Sequence, residues 1–219
     1  DHPGEAAVEA VQEVAQSRRH PGHPDGGAGR RTELADLRAF DVVILSDIGT
    51  NTLLLHPDTF ERSRRMPNRL ALLHEYVAAG GGLIMVGGYL TFQGIEAKGN
   101  YAGSPLEAAL PVTLQTSDDR VEMPQGVKPI VNAPDHEIAT GLPIEWPVLL
   151  GYNRLTPRYG SIVVATVESD PLITAWHYGE GRTVAFASDC GPHWAPPPFV
   201  EWDGYATLWQ NIADWTARD

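Results

Sequence analysis

The sequence predicts an α/β fold organised on parallel strands, and three observations predict it. Val42-Val43-Ile44-Leu45 and Leu83-Ile84-Met85-Val86 are short, continuous apolar runs rich in branched residues, as strands buried on both faces are. Between them, residues 68–79 place Leu70, Leu73 and Val77 on one helical face. Asn68 stands where a cap is needed at the start of that helix, and Gly80-Gly81-Gly82 stop it. A strand, a helix of about a dozen residues and a second strand close into a right-handed unit with parallel pairing.

The other elements follow in chain order. Residues 5–16 carry Val8, Val11 and Ala15 at helical spacing. Residues 18–31, rich in Gly, Pro and His, read as a flexible solvated loop whose imidazoles lack the fixed geometry a metal needs. Thr32 is placed to cap a short helix with Leu34 and Leu37. Residues 95–160 are loop-rich, with short strands at 127–131 and 148–150, and Ile162–Val167 is a clearer strand. Residues 172–178 and 183–187 flank Gly179-Glu180-Gly181, the pattern of a hairpin. Tyr205, Leu208, Trp209 and Ile212 form one stripe of a closing helix. No internal repeat is found. The expected organisation is an N-terminal helix and loop over 1–31, followed by one α/β domain over 32–219.

Composition narrows the function classes. A chain of 219 residues, 42% apolar, is long enough to bury one full core. The 16 basic against 28 acidic side chains give a net charge of −12, which repels phosphate backbones and anionic membranes. Neither nucleic acid nor a membrane is an expected partner. No apolar run approaches the ~18 residues of a membrane span, and the first twenty or so residues carry no apolar stretch of a secretory signal. The chain opens on Asp1 rather than Met, which leaves room for residues upstream. Cys190 is the single cysteine, so no internal disulfide can form, and a reducing, cytoplasmic compartment is expected.

Three of the apolar runs lead directly into polar or glycine-rich loops. Residues 42–45 lead into Ser46-Asp47-Ile48-Gly49-Thr50-Asn51. Residues 83–86 lead into Gly87-Gly88-Tyr89-Leu90-Thr91-Phe92-Gln93-Gly94. Residues 183–187 lead into Ser188-Asp189-Cys190-Gly191-Pro192-His193-Trp194. In an open parallel sheet, ligands bind beyond the carboxyl ends of the strands. If the three strands are neighbours, their loops share one rim, and Cys190 meets His193, Asp189, Asp47 and Gln93 there. Taken singly, each loop is also what turn chemistry asks for, since Asp and Asn cap turns and glycine allows tight bends.

These segments carry a resemblance. Asp41 to Gly49, Gly81 to Tyr89 and Gly181 to Trp194 resemble a family of bacterial cytoplasmic proteins related to the class I glutamine amidotransferases. Asp135-His136-Glu137-Ile138 with Gly141-Leu142 is similar to an Asp-His-Pro-Ile…Gly-Leu stretch in such relatives. The resemblance covers about residues 32–217 and implies a flavodoxin-like three-layer αβα sandwich with a mostly parallel sheet. Members usually open with a strand and a Gly-Glu-Ser-like turn, for which residues 1–31 offer no match. Class I enzymes also set a cysteine in a G-x-C-x-G elbow, where its thiolate attacks the glutamine amide with help from a histidine. Tyr89 occupies that position, and a phenol with pKa near ~10 is a poor nucleophile at neutral pH. The resemblance therefore implies an amidotransferase-like protein whose ordinary glutaminase activity is absent or altered.

Three chemistries remain open on the residues. In the first, Cys190 is activated by His193, oriented by Asp189 or Asp47, with N–H groups of Gly88 and Tyr89 facing an oxyanion. In the second, the rim binds a small molecule without turnover, with Gly87, Gly88, Tyr89, Gln93, Asn51 and Trp194 as binding residues and Trp194 and Trp202 as an aromatic wall. In the third, Asp47, Asp189, Cys190 and His193 hold a metal, although no tight ligand spacing supports it. No cofactor is expected, and homo-oligomerisation through the aromatic C-terminal region is a further expectation.

Overall fold

The computed structural model describes residues 34–217. The expected helix at 5–16, the loop at 18–31 and the cap at Thr32 lie outside the described residues. The order begins with α1 (Leu34–Leu37), β1 (Val42–Ser46), α2 (Thr50–Leu54), α3 (Pro57–Arg62), α4 (Arg69–Ala78) and β2 (Gly82–Val86). A middle region follows with β3 (Val112–Thr113), β4 (Arg120–Val127), β5 (Pro129–Val131), β6 (Leu149–Asn153) and β7 (Thr156–Pro157). The chain closes with β8 (Ile162–Val167), β9 (Asp170–Tyr178), β10 (Gly181–Phe186), α5 (Pro197–Val200) and α6 (Tyr205–Thr216).

Six strands form the central sheet in the order β1-β2-β10-β9-β8-β5. β2 pairs parallel with β1 on one side and β10 on the other. The other half is antiparallel: β10 with β9, β9 with β8, and β8 with β5. The sheet is therefore mixed, and parallel pairing is confined to the three strands whose loops matter most. The antiparallel half begins at a hairpin. Tyr178 pairs with Gly181, and the two-residue turn puts Gly179 at φ +57°, the left-handed region that glycine enters at no steric cost.

β2 is buried along its whole length, and its alternating side chains serve two cores. Leu83 and Met85 join Leu70, Leu73, Tyr76 and Val77 of α4 on one face. Ile84 and Val86 join Leu208, Trp209, Ile212 and Trp215 of α6 on the other. Helices thus cover both faces. As expected, Asn68 caps α4, its Oδ1 accepting from the N–H groups of Leu70 at 3.0 Å and Ala71 at 3.3 Å. Gly81 allows the close turn that follows, because a Cβ there would lie 2.2 Å from the Tyr76 ring.

The register fixes the site's position. Ser46 and Phe186 both lie opposite Val86, so β1, β2 and β10 end level with one another. The loops that begin at Asp47, Gly87 and Ala187 leave the sheet side by side.

Candidate functional site

Two glycines and a tyrosine form the elbow after β2. Gly87 has no room for a side chain, since a Cβ would fall 2.6 Å from Asn153 Oδ1 and 2.7 Å from the Ala187 carbonyl oxygen. Gly88 has φ +146° and presses on Asp47, whose Oδ1 would be 3.0 Å from a Cβ there. Asp47, itself at φ +47°, crosses from the β1 loop and accepts the Leu90 N–H at 2.8 Å. The first and second loops are thereby tied together.

The third loop closes the arrangement. The His193 ring stacks on Tyr89 with centroids 4.3 Å apart, and the Trp194 ring lies 5.7 Å from Tyr89. His193 has φ +123°, a strained value for a residue with a side chain, and its ring is half exposed. Its Nδ1 stands 3.8 Å from Asp189 Oδ2, an ion-pair distance when the ring is protonated. Asp189 also accepts the Gly191 N–H at 3.3 Å. Burial, reinforced by the charge of Asp47, pushes the Asp189 carboxyl up to about 6.

A paired ribbon of β4 and β6 overlies this rim and supplies groups that sequence reasoning missed. Glu122 on β4 accepts the Tyr89 hydroxyl at 2.9 Å with one oxygen and the Trp194 indole N–H at 3.0 Å with the other. The Arg120 guanidinium lies 4.7 Å from the Tyr89 ring centre and is held by both oxygens of Asp118. The Glu122 bond, aided by burial, raises the Tyr89 phenol above its ordinary value. At the end of β6, Asn153 is fully buried. Its Oδ1 accepts the Gly88 N–H at 2.9 Å, and its Nδ2 donates to Gly88 O at 3.2 Å and Asp119 Oδ1 at 2.8 Å. Asp119, equally sequestered, also accepts the N–H groups of Gln93 and Gly94.

The sequence-derived candidates divide accordingly. Asp47, Gly87, Gly88, Tyr89, Asp189, His193 and Trp194 meet at one rim. Trp194 is 2% exposed and pinned by Glu122, so it packs beneath the rim instead of offering a stacking wall. Cys190 sits in the same loop, but its Sγ faces Ser46 Oγ at 3.7 Å, and no hydrogen bond joins it to His193. Burial pushes its thiol up to about 11, the reverse of activation. The Gly88 N–H, expected to face an oxyanion, is already taken by Asn153. Gln93 is buried inside its own loop, where its Oε1 accepts the Ala102 N–H at 2.9 Å. Asn51 is exposed on α2. Among the described residues, no three His, Cys, Asp or Glu side chains are placed to hold a metal together.

Residues 4–218 match the family described as "Putative glutamine amidotransferase", GATase1-like. The chain belongs to this family. The match includes N-terminal residues that the motif-level resemblance left out. Among solved structures, the chain is similar to a cytoplasmic protein from Salmonella typhimurium LT2, at 40% identity and a TM-score of 0.88, over 96% of this chain and 87% of that one. A second cytoplasmic protein from Salmonella typhimurium is 38% identical, with a TM-score of 0.89 over 97% and 87% of the two chains. A ThuA-like protein from Parabacteroides merdae shares the fold at 16% identity and a TM-score of 0.56, over 97% and 84%. A comparison with curated proteins finds no match. No helix among the described residues is long and apolar enough to cross a membrane.

The turn after β2 carries Tyr89, and its N–H at Gly88 is engaged by a neighbouring side chain. The ribbon residues had one legible signal, the alternation of Val121 and Met123 with Arg120 and Glu122 over a period of two. Pro124 and Gly126 inside the same strand conceal it.

Proposed function

We propose that this chain keeps the amidotransferase-like scaffold without cysteine-dependent glutaminase chemistry, and that its rim binds a small molecule. The observation that carries the reading is the Asn153 amide seated on the Gly88 N–H. Acyl transfer from glutamine needs a thiolate, a proton-relaying imidazole and free donors for the oxyanion. Of these, His193 alone is available in a suitable setting: the elbow carries a phenol, the Gly88 donor is occupied, and the Cys190 thiol is buried and protonated at neutral pH. The exposed side of His193, Asp47 and the edge of Tyr89 remain as the surface a ligand would meet. We take the helix-covered sheet as the flavodoxin-like sandwich of class I relatives, and the compartment as cytoplasmic, in keeping with a single reduced cysteine and with the Salmonella proteins. A net charge of −12 argues against nucleic acid as the partner.

A second reading, an oligomer-forming module, is favoured by one observation: Leu54, Leu55 and Phe60 stand exposed on and between the neighbouring helices α2 and α3. The two readings separate in one set of experiments. Incubation with a diazo-ketone analogue of glutamine, followed by intact mass, is expected to leave the chain unmodified; a stoichiometric adduct on Cys190 overturns the loss of glutaminase chemistry. In a thermal-shift screen of small metabolites, at least one compound is expected to stabilise the wild type and not Tyr89→Ala. A screen that moves neither, with a dimer seen by light scattering, favours the oligomer.

A further inference from the structure

The Asp135-His136-Glu137-Ile138 motif lies far from the elbow and plays no part in the function proposed above. His136 caps the single turn Glu137–Ala139, its Nδ1 accepting the Ile138 N–H at 3.2 Å. An imidazole that accepts at Nδ1 carries its proton on Nε2 and is neutral. The turn is held against α6: Asn211 Nδ2 donates to Ile138 O at 3.1 Å and to Thr140 O at 2.8 Å, and Ile138 is fully buried. The last turn of α6 completes the cluster. The Trp215 indole, 5% exposed, has His136 at 5.3 Å, His177 of β9 at 5.5 Å and the Arg182 guanidinium of β10 at 5.4 Å. Arg182 also donates to Trp215 O at 2.8 Å.

We propose that His136 is a pH-sensitive latch: protonation of its Nδ1 breaks the cap and loosens the Glu137–Ala139 turn from the end of α6. The chemistry is local. A protonated Nδ1 sets two donors against each other where one bond existed. It also adds positive charge around one indole, beside Arg182 and the His177 ring, against the opposing carboxylate of Glu137 on the same turn. Burial and the neighbouring His177 both hold the His136 ring below its ordinary 6.5, so the folded state resists the charge. The sign follows: a lowered pKa means that the stabilisation is complete above 6.5 and is lost as the pH falls through the folded value.

Hydrogen exchange of the full chain at about pH 7.5 and about pH 5, corrected for intrinsic rates, tests the latch. In the wild type, the peptide spanning 136–142 is expected to lose about tenfold in protection at the lower pH while β2 and β10 keep theirs. His136→Asn retains an acceptor that caps but never titrates, and its protection is expected to be equal at both pH values. His177→Gln removes the neighbouring imidazole that disfavours a charge on His136 and is expected to move the wild-type midpoint to higher pH. A wild-type peptide with no pH dependence, or an Asn variant that loses protection as the wild type does, overturns the proposal. If the Asn variant does not fold, an unmoved midpoint in His177→Gln overturns it as well.

Discussion

Asn153 joins three partners through one buried amide: the N–H and the carbonyl of Gly88, and the Asp119 carboxylate. Replacing it by alanine strands a buried donor and part of a buried carboxylate, so Asn153→Ala is expected to cost about 1–3 kcal/mol in urea unfolding. Asp189 carries the opposite expectation. Its carboxyl sits at about 6 in the fold against an ordinary 3.8, so the fold favours the neutral form, and ionisation becomes a burden as the pH rises between those values. Asp189→Asn keeps the acceptor for Gly191 and removes that burden. It is expected to stabilise the protein by about 1–3 kcal/mol near pH ~7 and by little near pH ~4. Equal effects at both pH values in urea titrations would contradict the assignment. For Cys190, the rate of iodoacetamide alkylation in the folded protein is expected to climb only towards about 11, where its thiol ionises.

Among the elements, the β4–β6 ribbon decides the character of the elbow, and it is the part least legible in the sequence. β4 contains Pro124 and Gly126 and pairs with β6 across a register shift between Glu122 and Val127. Nothing local announces a pairing over some thirty residues of chain, so Glu122, Arg120, Asp119 and Asn153 could not be assigned to the site beforehand. By contrast, β1 and β2 announce themselves as apolar runs, and α4 by its cap, its stripe and its glycine stop. The hairpin of β9 and β10 was legible too, because Gly179 supplies the positive φ of its turn. Glu122→Ala is expected to lower the melting temperature, since the indole N–H of Trp194 loses its acceptor in a place water reaches poorly, a loss of about 1–3 kcal/mol. Glu122→Gln, which still accepts one bond, is expected to recover part of that.

At the scale of the molecule, the level ends of β1, β2 and β10 turn three separate loops into one rim, and β2 ties the two cores together. Ile84, fully buried against α6, is expected to cost about 2–4 kcal/mol as Ile84→Ala in equilibrium unfolding, with the transition still cooperative. The rim itself was foreseen from residues 42–45, 83–86 and 183–187, and the β9–β10 hairpin from Gly179-Glu180-Gly181; the antiparallel pairing of β8 with β9 and of β5 with β8 was not, because alternate pairing partners leave no trace in a single strand's composition. What the rim lacks is a usable thiolate and a free Gly88 donor. The most direct measurement is glutamate release from L-glutamine at neutral pH by the full chain and its Cys190→Ser variant. The expected result is a rate no greater than buffer for both; turnover that the wild type shows and the serine variant loses would contradict the account.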